Sequence, residues 1–478
     1  MNSVKKYFHY RFPWSVFVLS VGVFSSTVSQ AQAVRCDRLL LSTLPIINAR
    51  GVIPAGIEPF NMHPDVIRYV THLVQNSRIK PEPQLIPGFN TRVDNSSANS
   101  LDRYIRSQTP STVRMMVAEL LKNVEGLSAF RHLGIVVGDP HNGNFNTQAE
   151  VYGPRRDTNT YRVVDLDEVG VGIMTLDFSR YVMYLKANAK DLDLNQQFET
   201  ELVQAYVNGL RRGTPMPVPE FITANLKRTP EQIRRKINFY AENRTNDEGK
   251  FKKSLFKKKN EELLEFTTKN MKPEFLNLVR FNRNRGDRDG FKNTLVEMMK
   301  NSLKTTLGDR FQILDIAIPF RETGGSAAMQ RFLLSVELMV NNETQRVVIE
   351  FKQNTERSGW EAIIDSPQQS PADRYGLALR ITTDDIGPLS GVANFHEASF
   401  LIRVKGGDDI EYSGKQKREL ALFNAYFMGL FHGSQGAEIS LPHITAVVSN
   451  QDLFKDVVLR VANRVTARIL QESGNEFR

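Results

Sequence analysis

The chain has 478 residues, of which 41% are hydrophobic and 24% are charged, and its formal net charge is +9. This composition indicates a soluble globular protein with enough residues for two or three domains, and it excludes a disordered or membrane-filling chain. Cys36 is the only cysteine, which excludes an internal disulfide and a thiolate metal cluster.

The N-terminal residues have the features of an export signal. A basic segment, MNSVKKYFHYR, precedes an apolar one, FPWSVFVLSVGVF, and the small residues of AQA follow at 31–33. This succession predicts a cleavable signal peptide over residues 1–33. An uncleaved anchor helix is the alternative, but the apolar stretch is short and contains Pro13. No later segment is apolar for long enough to span a bilayer, so we expect a periplasmic or secreted protein without a stable membrane span after cleavage.

From residue 57 the chain has mostly helical periodicity. HPDVIRYVTHLVQNS and STVRMMVAELLKNV both carry apolar residues three and four positions apart. Two apolar runs typical of strands, LGIVV and YRVVDLDEV, interrupt this pattern, and the polar turn YGPRRDTNT lies between them. Helical periodicity returns over 176–210 and 229–308, where Thr229 and Pro230 predict a helix start.

A basic segment, KFKKSLFKKKNEELLEF, occupies residues 250–266. Its apolar residues recur at helical intervals with lysines between them, which predicts the solvated face of a helix. The alternative is an anionic partner at 250–259, such as nucleic acid, acidic lipid or a phosphorylated substrate. No zinc-finger spacing or aromatic-basic RNA-binding motif supports nucleic acid.

From residue 311 the pattern changes to that of strands. FQILDIAIPF, RFLLSVELMV and RVVIEFK predict an antiparallel meander, ASFLIRV (398–404) predicts a further strand, and two amphipathic helices are expected near 415–431 and 451–472. The predicted class is α+β. The predicted organisation is a signal peptide (1–33), a mainly helical lobe (34–310), an antiparallel β-rich lobe (311–410) and C-terminal helices (411–478).

The stretch VVGDPHNGNF (136–145) contains Asp139, His141 and Asn144 directly after a predicted strand. A calcineurin-like metallophosphoesterase begins with Gly-Asp-x-His but also needs a Gly-Asn-His element, and none of the eight histidines follows Gly-Asn. Calcium binding through DLDEVG is excluded because Val169 and Leu176 occupy the fifth and twelfth positions of that loop.

Phosphoryl transfer fits the spacing. Protein kinases carry a catalytic Asp and a metal-binding Asn on one loop and a second metal-binding Asp beyond it. Asp139 and Asn144 have the kinase separation of five residues, and Asp165 ends a strand 21 residues later, after a turn expected to form a hairpin. We therefore predict Asp139 as general base and Asn144 with Asp165 or Asp167 as Mg²⁺ ligands. His141 is the second catalytic candidate, but a loop-ordering role is favoured for it over a catalytic one.

These residues also carry a family resemblance. GDPHNGNF resembles the Gly-Asp-x-His-x-x-Asn-Phe motif of the bacterial "domain of unknown function 2252" family, which is related to aminoglycoside phosphotransferases and, more distantly, to protein kinases. VVDLDEVGVGIMTLDFSRYV is similar to the family's second block, in which an Asp-x-Asp-Glu element is followed ten residues later by a further Asp near an Arg. Asp167 and Asp177 have this interval, and Arg180 follows them. RETGGSAAMQRFLL and VVIEFKQ resemble its Gly-rich and lysine-bearing strands. The resemblance covers residues 60–435.

The resemblance implies a protein-kinase-like two-lobed fold with nucleotide-binding residues in the β lobe. These are Gly324, Gly325, Ser326 and Lys352, although Ala327 and Ala328 stand where another glycine is common in the family. An exposed strand lysine is the alternative for Lys352. Because these residues follow Asp139 in the chain, the small lobe is expected to be circularly permuted relative to kinases.

The resemblance further implies a structural role for Asp177, which is expected to accept hydrogen bonds from the catalytic loop and to pair with Arg180. The predicted function is an exported phosphotransferase, or a nucleotidyl-transferring relative, that uses Mg²⁺ and ATP or another nucleotide and acts on an unknown hydroxyl-bearing acceptor. The alternative is a non-catalytic, kinase-like binding protein, or pseudokinase.

Overall fold

Residues 31–478 form one compact unit in the computed structural model. The structure describes residues 33–34, 63–81, 100–122, 129–150, 158–166, 168–188, 192, 194–213, 215–257, 263–281, 288–319, 329–340, 343–355, 358–382, 391–406, 410 and 412–473. The predicted signal peptide, apart from its last residue, lies outside the described residues. No helix in the described part is both long and apolar enough to cross a membrane.

Helices make up most of the body of this unit, and the mixture of helices and antiparallel strands confirms the α+β class. The helices are α1 (Pro64–Gln75), α2 (Leu101–Ser107), α3 (Thr109–Leu121), α4 (Met174–Ala187), α5 (Gln196–Leu210), α6 (Glu220–Leu226), α7 (Pro230–Arg244), α8 (Pro273–Leu278), α9 (Arg288–Leu307), α10 (Pro371–Thr382), α11 (Lys417–Gly433), α12 (Ala437–Ser449) and α13 (Gln451–Glu472). At the start of α7, Thr229 and Gln232 form a capping box, which confirms the predicted helix start.

The largest sheet has seven antiparallel strands. The strands of the described residues are β1 (Ala33–Val34), β2 (Arg78–Ile79), β3 (Leu133–Val136), β4 (Phe145–Glu150), β5 (Thr158–Val163), β6 (Gly170–Ile173), β7 (Leu263–Glu265), β8 (Phe311–Pro319), β9 (Arg331–Val340), β10 (Glu343–Gln353), β11 (Ile364–Asp365), β12 (Gly391–Phe395) and β13 (Ala398–Lys405). The sheet has the order β1-β12-β13-β10-β9-β8-β7. Its centre is the meander β8-β9-β10, as the sequence predicts. Two-stranded sheets pair β3 with β6, β4 with β5, and β2 with β11.

The two faces of the large sheet have different characters because successive side chains on a strand point to opposite sides. On one face Phe332 and Phe351 are buried against Leu295 and Met299 of α9. Fully burying each of these phenylalanines contributes about 2–3 kcal/mol. On the other face Lys352 is also buried, so that this face holds charge, whereas the first face is mainly apolar.

A short turn after β10 ties the sheet to the helical body. Gly359–Ala362, which we call the Trp360 turn, places the indole of Trp360 in the same core cluster as the helices of the body. The backbone N–H of Gly359 donates to Oε2 of Glu168 at 2.6 Å, and Oγ of Ser358 donates to the carbonyl oxygen of Glu168 at 2.9 Å. The sheet is thereby attached to the segment that leads into β6.

Several described parts of the chain differ from the sequence-based expectation, among them α10 and β12, where no element was predicted. Within the basic segment, the described residues form a 3-10 turn (Lys253–Lys257) and the strand β7, so the predicted helix is wrong there. The segment is not α-helical because Phe251 forms a bridge with Thr245 and donates its N–H to Asp315, and the Phe251 side chain is buried. The helix α12 was not predicted, since Pro442 lies inside it.

Candidate functional site

The motif GDPHNGNF leaves β3 in a sharply defined turn. The backbone N–H groups of Val137 and Gly138 donate to the carboxylate of Asp177 at 2.9 and 3.0 Å. Gly138 has φ +86°, and a Cβ there would lie 2.0 Å from the carbonyl oxygen of Glu168. Only glycine fits such a position. Asp177 thus has the loop-supporting role that the sequence predicts.

Arg180 fixes the loop from the other side. Its guanidinium donates to the carbonyl oxygens of Gly138 and Ile105 at 2.7 and 2.6 Å and to Oδ1 of Asp139 at 3.2 Å. Arg180 therefore binds Asp139 and not Asp177, and the predicted pairing between Asp177 and Arg180 is wrong. The physical reason is that the Asp177 carboxylate is occupied by the N–H groups of the loop.

Asp139 is held in a partly enclosed position at the end of this turn. Its side chain is 18% exposed. Loss of hydration raises the pKa of Asp139 to about 7, and the attraction of Arg180 offsets this effect only in part. A carboxylate with such a pKa exchanges protons near neutrality, as a general base must.

His141 lies next to Asp139 and orders the loop. Its Nδ1 accepts a hydrogen bond from the backbone N–H of Gly143 at 3.1 Å, so the ring proton is on Nε2, which lies 3.5 Å from Oδ2 of Asp139. Burial, together with nearby Arg106, holds the pKa of His141 well below its usual range. The ring is neutral and presents an N–H group towards the carboxylate.

Asn144 closes the loop and connects it to the next hairpin. Its side-chain N–H donates to the carbonyl oxygen of Asp139 at 2.7 Å, so that the amide oxygen is the atom that could face a cation. The backbone carbonyl of Asn144 accepts from the N–H of Val164 at 2.8 Å. Because β4 and β5 pair in antiparallel register, Asp165 follows directly and lies beside the loop. This hairpin is expected from the sequence, but β5 ends at Val163, two residues before Asp165, and not at Asp165 as predicted.

Asp165 meets Lys352 from the charged face of the large sheet. The Nζ of Lys352 donates to Oδ1 of Asp165 at 2.8 Å, and the lysine side chain is 1% exposed. Lys352 is therefore not an exposed strand lysine. Burial raises the pKa of Asp165, but the Lys352 ammonium and the guanidinium of Arg403 outweigh burial and hold the pKa below its usual range. The carboxylate is ionised at all pH values near neutrality.

Further cations surround a second carboxylate on the same face. Glu350 accepts from Arg331 at 3.0 Å and from Arg403 at 2.7 Å, and Lys405 lies 3.8 Å away. Burial raises the pKa of Glu350, yet the charge of Arg403 and its neighbours holds it well below its usual range. With Lys352, the face carries four cations around Glu350 and Asp165.

Four of the predicted site residues cannot be placed. Gly324, Gly325, Ser326 and Asp167 lie outside the described residues. The flanking strand β9 begins at Arg331, which is the register partner of Lys352.

Sequence reasoning missed several residues of this site. Glu350 and Lys352 share a face of one strand, a pattern visible in EFK, but Arg331 and Arg403 reach them only through strand pairing. Asn142 was also missed: its side-chain oxygen accepts from the hydroxyl of Tyr181 at 2.8 Å and so ties the loop to α4.

Among the described residues, no three His, Cys, Asp or Glu side chains come together as a metal-binding group. The oxygen atoms that fit a hard cation are the carboxylate of Asp165 and the amide oxygen of Asn144. Both oxygens are of the kind that Mg²⁺ prefers, so the residues fit a cation that completes its shell with phosphate oxygens and water.

Comparisons with known proteins find one family. The model of DUF2252, described as an uncharacterized protein conserved in bacteria, matches residues 115–472, about three quarters of the chain. The match begins later than the resemblance seen in the sequence and extends through α13. No curated protein and no solved structure matches the chain.

Proposed function

The chain belongs to the DUF2252 family, and we propose that it is an exported, kinase-like phosphotransferase that uses Mg²⁺ and ATP to phosphorylate a hydroxyl-bearing acceptor. One observation carries the proposal: the ion pair of Lys352 and Asp165 lies beside the loop that holds Asp139 and Asn144. Protein kinases use a strand lysine, a catalytic-loop Asp and Asn, and a second Asp in this combination.

In the proposed reaction Asp139 is the general base. It accepts the proton of the acceptor hydroxyl while that oxygen forms a bond to the γ-phosphorus of ATP. The bond from the γ-phosphorus to the bridging oxygen breaks, and its electron pair stays on the leaving ADP. The pKa of Asp139, raised to about 7 by burial, supports this role because the carboxylate takes up a proton readily near neutral pH.

Asp165 and Asn144 are the residues that would hold Mg²⁺, and Lys352 is the residue that would contact the phosphates. When bound, the metal ion supplies positive charge that neutralises the phosphate oxygens. Lys352 supports this assignment because its Nζ donates to Asp165, the residue proposed to hold the metal ion. The additional cations Arg331 and Arg403 on the same face favour a polyanionic ligand.

The order of these parts in the chain supports a permuted kinase-like arrangement. The strand that bears Lys352 follows the loop of Asp139 in sequence, whereas in kinases the lysine strand precedes the catalytic loop. We propose that the β8-β9-β10 meander and the strands β12 and β13 take the place of the kinase small lobe.

A non-catalytic, kinase-like binding protein is the second candidate. The predicted signal peptide favours it, since ATP is scarce outside the cytoplasm. In that case the mutual neutralisation of Lys352 and Asp165 would serve to hold the sheet against the loop.

The test is calorimetry of ATP binding with and without Mg²⁺, followed by a search for label transfer from ATP. We expect Asp139→Asn to keep nucleotide affinity but to lower turnover by at least about 10²-fold. Asp165→Asn should weaken Mg²⁺-dependent binding, and Lys352→Ala should weaken binding of the phosphates. Asp365→Asn, an exposed carboxylate paired with Arg78, is the matched control.

Circular dichroism must show each variant folded. A wild type that binds Mg²⁺-ATP without transferring label would favour the binding protein. A wild type that binds no nucleotide, with variants that alter only the melting temperature, would refute both candidates.

A further inference from the structure

A chain of buried polar side chains lies behind the loop of Asp139. Nε2 of His432 lies 3.2 Å from Oδ2 of Asp177, and Nδ1 of His432 lies 2.8 Å from the hydroxyl of Tyr206. The same hydroxyl lies 2.9 Å from Nε2 of His443. The four side chains come from four different helices, and all four residues are fully buried. We call them the Asp177 network.

The far end of this network fixes the direction of its hydrogen bonds. Nδ1 of His443 is buried and has no partner among the described residues. Buried N–H groups without a partner are rarer and costlier than an unused acceptor, so the proton of His443 is on Nε2. Burial also lowers the pKa of His443 well below its usual range, which keeps the ring neutral.

Each remaining bond follows from this one. His443 donates from Nε2 to the oxygen of Tyr206, the Tyr206 hydroxyl donates to Nδ1 of His432, and His432 donates from Nε2 to Asp177. Asp177 then accepts three N–H donors, of which two are the backbone groups of Val137 and Gly138. The network therefore ends on the two residues that immediately precede Asp139.

We propose that His432 is a positioning residue for Asp139, which it holds in place by fixing the carboxylate that anchors the turn at Gly138. This role rests on the proposed function of Asp139. Without the donor at Nε2, the Asp177 carboxylate keeps only its two backbone donors, and the turn before Asp139 is held less firmly. Among the described residues, the His432 ring forms its hydrogen bonds with Tyr206 and Asp177, and it acts on Asp139 only through Asp177.

Packing alone does not account for the network. The ring of Tyr206 stacks on Phe178 with centroids 4.1 Å apart and on Phe454 with centroids 5.7 Å apart. Phenylalanine would keep these contacts, and the hydroxyl adds only the hydrogen bonds. Tyr206→Phe thus separates the polar role of the network from its role in the core.

The experiment compares two replacements of His432 in the full-length mature protein. In His432→Gln the side-chain amide reaches the position of Nε2 and can still donate to Asp177. In His432→Asn the shorter amide reaches only the position of Nδ1. The matched control is His72→Gln on the exposed side of α1.

The first readout needs no catalytic activity. Hydrogen exchange of the Val137 and Gly138 amides should become faster by about tenfold or more in His432→Asn, because a hydrogen bond to a charged group is lost. His432→Gln should stay close to the wild type. Nitrogen-15 NMR of the imidazoles should show the proton on Nε2 in both His432 and His443. Equal exchange in the two variants, or a proton on Nδ1 of either ring, would overturn the inference.

The second readout is hydrolysis of Mg²⁺-ATP, with water as the acceptor. His432→Asn should lower kcat by about tenfold or more with little change in KM, and the acid limb of its pH profile should move below pH 7 as Asp139 becomes solvated. His432→Gln should restore both. Unchanged kcat in His432→Asn would refute the positioning role. A wild type that passes the first readout but hydrolyses no ATP would support the positioning of the turn and favour the non-catalytic binding protein over the phosphotransferase.

Discussion

The burial of Asp139 has a cost in stability that a single substitution should reveal. Its pKa is raised from 3.8 to about 7 by loss of hydration. A carboxylate with a raised folded-state pKa binds more protons folded than unfolded, so stability falls as pH rises from about 4 to about 7. In Asp139→Asn no charge forms, and this cost disappears. The variant should therefore gain stability relative to the wild type as pH rises.

The size of the gain follows from the pKa values. A shift of about three units corresponds to about 4 kcal/mol at pH 8, where the group is ionised in both states. At pH 5 the cost is only about 2 kcal/mol, because the folded-state carboxyl is still protonated. The advantage of Asp139→Asn should thus be larger by about 2–3 kcal/mol at pH 8 than at pH 5.

The measurement is urea-induced unfolding of wild type and variant at both pH values. The comparison between pH values cancels any constant effect of the amide on packing, and it cancels other titrating groups that are the same in both proteins. Asp365→Asn, on an exposed side chain, is the control for substitution of an aspartate. The reasoning would be refuted if the variant and the wild type differed in free energy of unfolding by the same amount at pH 5 and pH 8. It would also be refuted if the variant lost stability relative to the wild type as pH rises.

Three further predictions concern other parts of the chain. Gly138→Ala should lower the free energy of unfolding by on the order of 3 kcal/mol or more, because its Cβ would meet the backbone of Glu168. Gly308→Ala, with φ +64° and open space around it, should lower it by only about 1 kcal/mol, and denaturant titration measures both values. The mature protein should begin near Val34, and N-terminal sequencing of exported protein that retains residues 1–30 would contradict cleavage. Changing Lys252, Lys253, Lys257 and Lys258 to Gln should weaken the binding of the protein to anionic vesicles and reduce the salt dependence of that binding. Unchanged affinity would mean that the basic segment is an ordinary solvated surface.

Much of the fold is readable from the sequence because its signals are local. The alternation in RFLLSVELMV and RVVIEFK predicts the central strands, and Thr229 with Pro230 predicts the start of α7. The basic segment is different: its helical spacing was overridden when Phe251 bonded to Asp315, a residue 64 positions away. Local preference decides only where no distant contact competes with it.

The site was predictable to the extent that spacing carries it. Asp139, Asn144 and Asp165 come together because one hairpin connects them, and the polar turn YGPRRDTNT in the sequence predicts that hairpin. The burial of Lys352 was not readable, since a strand pattern does not say which face will be covered. Nor was the partner of Arg180, because Asp177, three residues before it, is occupied by backbone groups from the loop that follows β3.

The Trp360 turn limits how the molecule can move. Many enzymes that close over a nucleotide swing one lobe against the other about a hinge. Here such a swing would pull the indole of Trp360, which is completely buried, out of the helical body. Exposing roughly 200 Å² of apolar surface costs about 5 kcal/mol, so about one molecule in several thousand would be open at any moment. We therefore expect the sheet and the helical body to stay together as one rigid frame when the proposed nucleotide binds.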